Sequence, residues 1–246
     1  APIRPRTMTN VLLAVSIGGM LALGAAFLFE YLDDTVKTFE DLEDAGLSFL
    51  AAVQEARPDP EPGPEAVYTK TQPRSLISES YRTLRTNLQF SSLDTPLRSL
   101  VVTSPMATEG TTTTASNLAV VLAQDGTRVI LVDADLRRPR IHRFFSLSNR
   151  VGLTTALMDE LGMLDDYLCE TEIENLRALT AGPVPPNPQE VLGSERMVDL
   201  IHSLQREADI VILDTPPCLP VADASLLAAR ADGVIVVVQV GNTRQE

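Results

Sequence analysis

Three acidic residues stand where apolar runs end. Asp133 and Asp135 follow V-I-L-V (Val129–Val132) as D-A-D, and Asp214 follows I-V-I-L (Ile210–Leu213) as D-T-P-P. Carboxylates so placed suit a divalent cation, because Mg2+ is commonly held by one or two carboxylates together with phosphate oxygens. One of them could also accept a proton from an attacking hydroxyl. A further segment, S-P-M-A-T-E-G-T-T-T-T (Ser104–Thr114), follows the apolar run S-L-V-V-T (Ser99–Thr103). Its backbone N–H groups across Thr108, Glu109, Gly110, Thr111, Thr112 and Thr113, with the helix start they enter, would cradle phosphate oxygens. Thr112 would offer its hydroxyl to Mg2+. Taken singly, each Asp also suits a strand end or cap, and G-T-T-T-T also suits a plain helix start, since Thr caps well.

The elements that must position these groups can be read from the same pattern. Short continuous apolar runs alternate with helical stretches near Thr112–Gln124, Gln189–Glu207 and Ala222–Arg230, and a further run, V-I-V-V-V-Q-V (Val234–Val240), ends in glycine. That alternation predicts an α/β fold with a mostly parallel, doubly wound sheet covered on both faces. In such sheets ligands bind beyond the carboxyl ends of the strands. All three chemistry-bearing segments fall at those ends.

Upstream, the uncharged run Val11–Phe29 has about the 20-residue length that spanning a membrane requires, longer than a signal-peptide core. Small residues (Ala14, Gly18, Ala22, Ala26) recur at every fourth position; this is either a helix-packing face or chance. A basic count (Arg4 and Arg6 before, Lys37 after) would place the N-terminus inside. The chain therefore divides into a lead-in (1–10), a transmembrane helix (11–31), an acidic stalk and linker (32–74) and a soluble domain (75–246). The linker R-P-D-P-E-P-G-P (Arg57–Pro64) favours extended backbone. Ser75–Phe90 reads as a helix, with Ile77, Tyr81, Leu84 and Leu88 on one face. Glu79, Arg82 and Arg85 lie three apart on it and suit intrahelical ion pairs.

Composition narrows the class. The 246 residues carry a net charge of −13, which argues against nucleic acid, whose partners present basic faces. Cys169 and Cys218 have no metal-ligand spacing, and His142 and His202 no ligand partner nearby; Cys218 is expected to be a small buried packer. Beginning at Ala, the chain is expected to be part of a longer protein.

As a set, the motifs resemble the bacterial tyrosine kinases of the polysaccharide co-polymerase type (BY-kinases). D-A-D-L-R-R-P (Asp133–Pro139) is similar to their second Walker-type motif. V-I-L-D-T-P-P (Val211–Pro217), with V-A-D-A (Val221–Ala224) after it, is similar to their Walker B. A-G-P-V-P-P-N-P-Q-E-V-L (Ala181–Leu192) resembles a characteristic family segment, and E-S-Y-R-T-L-R their oligomerisation motif. The resemblance implies a P-loop NTPase-like domain of deviant Walker type on the cytosolic side of a membrane, overriding the basic count. It implies ATP and Mg2+ as cofactors, with Asp133, Asp135 and Asp214 catalytic and metal-binding. It also implies a ring-like homo-oligomer joined through Glu79, Arg82 and Arg85, autophosphorylation of a tyrosine cluster in a neighbouring subunit, and control of polysaccharide polymerisation and export. Membrane lipid is a further partner.

The family loop reads approximately S-x-x-P-G-E-G-K-[ST]-T. Here Ala107 stands for the proline, Thr108 for a glycine and Thr111 for the lysine. Loss of the lysine removes a charge from the β/γ-phosphates. Three readings follow: a working kinase with an altered loop, a degenerate module that regulates export without catalysis, and a helix start with no phosphate role. Partition and division-site ATPases share the fold but have no fused spanning helix.

Overall fold

The computed structural model describes residues 7–32, 35–44, 46–54, 67–92, 96–159 and 162–243. The basic lead-in residues Arg4 and Arg6, and the proline-rich run Arg57–Pro64, lie outside them. Two compact units separate by contact: Ala1–Leu47 with Val240–Glu246, and Ser48–Gln239.

In the smaller unit, α1 (Thr7–Tyr31) is long and apolar enough to cross a membrane. Its 25 residues rise roughly 37 Å at about 1.5 Å each, against about 30 Å of hydrocarbon. The leucines and phenylalanines along it are exposed. Beyond it, α2 (Phe39–Asp44) begins where the Asp41 carboxylate accepts the N–H groups of Lys37 and Thr38, both at 2.9 Å. Val36 and residues 241–243 exchange backbone hydrogen bonds of 2.8 and 2.9 Å.

The larger unit runs α3 (Tyr68–Thr71), α4 (Leu76–Ser91), β1 (Ser99–Thr103), α5 (Thr111–Gln124), β2 (Val129–Asp133), α6 (Ile141–Phe144), α7 (Leu153–Met158), β3 (Cys169–Glu170), β4 (Leu176–Leu179), α8 (Pro188–Leu192), α9 (Glu195–Glu207), β5 (Ile210–Asp214), α10 (Asp223–Ala228) and β6 (Gly233–Val236). The strands form one sheet in the order β3-β4-β2-β5-β1-β6, parallel except for β3 against β4. Every residue of β1, β2 and β5 is buried, as expected of parallel strands covered on both faces. Alternate side chains feed two apolar layers. Leu100, Val102, Leu131 and Ile212 pack with α4 and α5, whereas Val101, Ile130, Val132 and Leu213 pack with Met197, Ile201 and Leu204 of α9 and Leu227 of α10. The α5 helix is buried without a break from Thr114 to Ala123, because the sheet lies on one side and α4 covers the other through Tyr81, Leu84 and Leu88.

Several details depart from expectation. The helix anticipated over Gln189–Glu207 is two helices. It breaks at Gly193, and Ser194 caps the second by accepting the Met197 N–H. The last strand ends at Val236, not Val240. The short β3–β4 hairpin was not anticipated. Cys218, expected to be buried, is half-exposed. Contacts carry the larger unit back beyond residue 75: Thr69 donates its N–H and hydroxyl to Asn117 Oδ1, both at 2.9 Å, and Asn87 reaches the Leu50 carbonyl at 2.6 Å.

Candidate active site

Strand register brings the acids together. Asp133 of β2 and Asp214 of β5 are direct partners across the parallel ladder. Asp214 also sits beside Val102 of β1, so the loop beginning at Ser104 leaves β1 next to it. Hydrogen bonds beyond the ladder tie the two strand ends. Thr215 donates its N–H (3.1 Å) and hydroxyl (2.9 Å) to the Val102 carbonyl. The Thr103 hydroxyl donates to Pro216 O at 2.9 Å, and the Cys218 N–H to Ser104 O at 2.8 Å.

The loop is folded as a phosphate cradle would be. Gly110, at φ 93°, is the N-cap of α5 and offers the helix no side-chain cap. Nothing lies within 4 Å of a Cβ built on Gly110, so glycine answers to the backbone angle there and not to space. Thr108 also holds a positive φ, 72°, although it replaces the glycine of the family pattern. Thr111 donates its hydroxyl to Ser104 Oγ at 2.9 Å, and the Met106 N–H meets Glu109 Oε2 at 3.1 Å. The threonine run therefore does not cap the helix. A glycine N-cap of this kind suits an anion.

The acids differ in environment. Asp133 and Asp214 are 0% and 1% exposed. Asp133 Oδ2 accepts the N–H groups of Arg140 and Ile141 at 3.0 and 2.9 Å. Its Oδ1, and both oxygens of Asp214, are buried and make no hydrogen bond of full geometry, with the Asp135 N–H close to the Asp133 carboxylate and the Thr112 hydroxyl close to that of Asp214. Burial raises the Asp133 pKa to about 7; the Ile141 and Arg140 N–H groups oppose the rise and the charge of Asp135 adds to it. Burial first, and then the charge of Asp133, holds Asp214 well above the ordinary carboxylate range, with the nearby Thr112 hydroxyl pulling the other way. Three acceptor oxygens short of full hydrogen bonds on two adjacent buried carboxylates are a costly arrangement that a cation would satisfy, so the donor set fits Mg2+. The described residues hold no cluster of three or more His, Cys, Asp or Glu side chains able to bind a metal; Mg2+ needs only one or two carboxylates besides phosphate oxygens. Asp135 is half-buried, and its Oδ1 is occupied by the Arg137 and Arg138 N–H groups at 3.1 and 3.0 Å. Burial raises its pKa, and those two donors oppose the rise.

One contact had no signal in sequence. Asp223, fully buried at the first turn of α10, receives Arg137 Nε at 2.7 Å and Nη2 at 3.1 Å across 86 positions of chain. Arg137 is thereby engaged and is not available to replace the missing loop lysine. On α4, Glu79 and Arg82 form the intrahelical pair, and Arg82 also reaches the Pro73 carbonyl at 2.7 Å. Arg85 instead packs at the C-terminal end of α5, on the Val121 carbonyl at 3.3 Å and Asp125 at 3.1 Å, where a cation complements the helix dipole.

A family model described as an AAA domain matches residues 107–245. Tyrosine-protein kinase YwqD of Bacillus subtilis is 47% identical over 180 residues, covering 73% of this chain and 76% of that protein. The chain belongs to the bacterial tyrosine kinase (BY-kinase) family. Other BY-kinase relatives agree. CapB of Staphylococcus aureus is 35% identical over 70% of this chain and 75% of its own. Tyrosine-protein kinase etk of Escherichia coli is 31% identical over the whole of this chain, which spans 36% of that longer protein. Among solved structures, the etk kinase domain superposes with a TM-score of 0.77 at 31% identity, covering 85% of each chain. The chimerical protein CapA2B2 gives 0.73 at 37% identity, covering 81% of this chain and 84% of its own. The P-loop NTPase-like fold and its mostly parallel sheet are those of this family.

Proposed function

We propose that this protein is an ATP- and Mg2+-dependent protein-tyrosine kinase. It is tethered to a membrane through α1, with the kinase unit on the cytoplasmic side, and regulates polysaccharide polymerisation and export. The observation that carries the reading is the adjacent pair Asp133–Asp214, both buried with three acceptor oxygens short of a full hydrogen bond, next to the loop that enters α5 through its glycine N-cap. The relatives named as tyrosine kinases, one of them from a cps region, support the reaction class and its setting. Glu79, Arg82 and Arg85 are proposed to join copies into a ring.

In this reading the N–H groups of Thr108–Thr113 orient the phosphates, and Asp133, Asp214 and the Thr112 hydroxyl hold the metal. Mg2+, when bound, offsets charge on the β- and γ-phosphates. Asp135, the least buried of the three acids, accepts the phenolic proton as the tyrosine oxygen bonds to the γ-phosphorus and the bridge to the β-phosphate breaks. The loop puts no cation on the transferring group. By comparison with removal of one preorganised donor, this lowers the rate by roughly 10²–10³.

That same feature supports a second reading, a module that binds nucleotide and assembles the export machinery without transferring phosphate: Thr111 spends its hydroxyl on Ser104 and Arg137 is held by Asp223. The test is phosphate transfer from γ-labelled ATP to a tyrosine-containing polypeptide by the full chain in detergent micelles. The kinase reading expects slow Mg2+-dependent labelling that Thr111→Lys accelerates roughly 10²–10³-fold. No labelling by either protein, with Mg2+-ADP still bound, favours the assembly module.

A further inference from the structure

We infer that the Arg137–Asp223 ion pair is a clamp that positions the loop carrying Asp133 and Asp135 against the strand end carrying Asp214. The inference rests on the nucleotide-and-metal reading of those acids and adds two positioning residues to it. The loop after β2 is tied to the fold at its root, where the Ala134 N–H meets the Asp214 carbonyl at 2.8 Å, and at its exit, where Arg140 and Ile141 donate to Asp133. Between these ties Leu136 is buried, but Arg137 and Arg138 are exposed in a turn. The polar tie at the apex is the guanidinium fork on Asp223.

A two-bond fork fixes the orientation of the loop as well as its distance. Asp223 follows Asp214 by nine positions, so the clamp closes a loop of structure: Asp133, the turn, Arg137, Asp223, and back along the chain to Asp214. A buried carboxylate is an expensive way to add stability, since an apolar side chain of similar size commonly does as well. Its use here, facing the loop that carries the acids, points to geometry as the gain. The Arg137 side chain remains 39% exposed and lines an open cleft of about 500 Å3 with Pro186–Glu190 and Leu226. Of the pair, Arg137 alone stands in the wall of this cleft.

Metal sites lose about 10–100-fold in affinity when a residue orienting a ligand is removed. The test uses the full chain in micelles and three variants: Asp223→Asn, Arg137→Lys, and the double Arg137→Gln/Asp223→Asn, which leaves no unpaired buried charge. Two quantities are measured: amide hydrogen exchange across residues 135–140, and ADP affinity with Mg2+ and with chelator. The clamp predicts that exchange across 135–140 quickens at least tenfold more than in other turns. It predicts that Mg2+-dependent ADP affinity falls about tenfold or more while metal-free affinity stays within twofold, with Arg137→Lys intermediate on both. Exchange that rises uniformly, or affinities that fall together with and without metal, would overturn it and leave a plain structural ion pair. If the unmodified chain binds no ADP in a metal-dependent way, the nucleotide reading fails, and the exchange data alone decide whether the clamp exists.

Discussion

Thr108 sits at φ 72°, where a Cβ meets the following carbonyl and a β-branched residue has least freedom. Left-handed backbone costs an ordinary residue about 1–2 kcal/mol. Glycine removes that cost but loses about 0.5–1 kcal/mol in chain entropy on folding. The Thr108 side chain is exposed and its hydroxyl meets only the adjacent Ala107 carbonyl, so little contact is lost on replacing it. Thr108→Gly is therefore expected to stabilise the larger unit by about 1 kcal/mol, raising Tm by about 2–4 °C for a unit of this size. Thr108→Ala, which keeps the Cβ but not the branch, should recover a smaller part. The assay is thermal and urea unfolding of the full chain in micelles, followed by circular dichroism, with the three proteins compared in one buffer. Equal or lower stability of Thr108→Gly would refute the reasoning: the loop would not hold a glycine conformation at 108, and its likeness to a phosphate cradle would fall with it.

Gly110→Ala tests the second positive φ; space is free around it, so the same two terms give an expected loss of about 1 kcal/mol, purely conformational, in the same unfolding curves. The pH response follows from Asp133, whose pKa stands at about 7 in the folded protein through burial. A carboxyl whose folded pKa is raised stabilises the fold at low pH and loses that contribution as pH rises through the folded value. Metal-free protein should thus lose stability from the ordinary carboxylate range, about pH 4, up to about pH 7, and Asp133→Asn should flatten that slope; an unchanged slope would contradict the burial argument. Mg2+ affinity should rise as Asp133 deprotonates, which calorimetry at pH 6 and 8 reads. Arg85→Met should cost about 1 kcal/mol by removing the cation from the end of α5. Light scattering in micelles shows whether it also lowers the oligomeric mass, as an interface role requires.

What sequence made legible was set by period and by chain locality. V-I-L-V and I-V-I-L announce fully buried parallel strands because both faces must be apolar. The acids at their ends fall into register once β5 lies between β1 and β2. L-R-A-L in β4 and the two residues of β3 carry too little periodicity to be seen. The break at Gly193–Ser194 is a capping event inside an otherwise continuous helical pattern, and the Ser194 bond to Met197 shows only in the fold. Arg137 and Asp223 lie in two separate motifs, and nothing local in either says that they meet. The glycine conformation at Thr108 was hidden for a different reason: the residue type argues against the backbone angle that the surrounding loop imposes.

The most direct test of the account is calorimetric titration of ADP into the full chain, with Mg2+ and with chelator, beside Asp214→Asn. The account predicts binding that needs Mg2+ and weakens tenfold or more when the buried carboxylate is neutralised. Binding indifferent both to chelator and to Asp214→Asn, or no binding to a folded protein under any of these conditions, would contradict it.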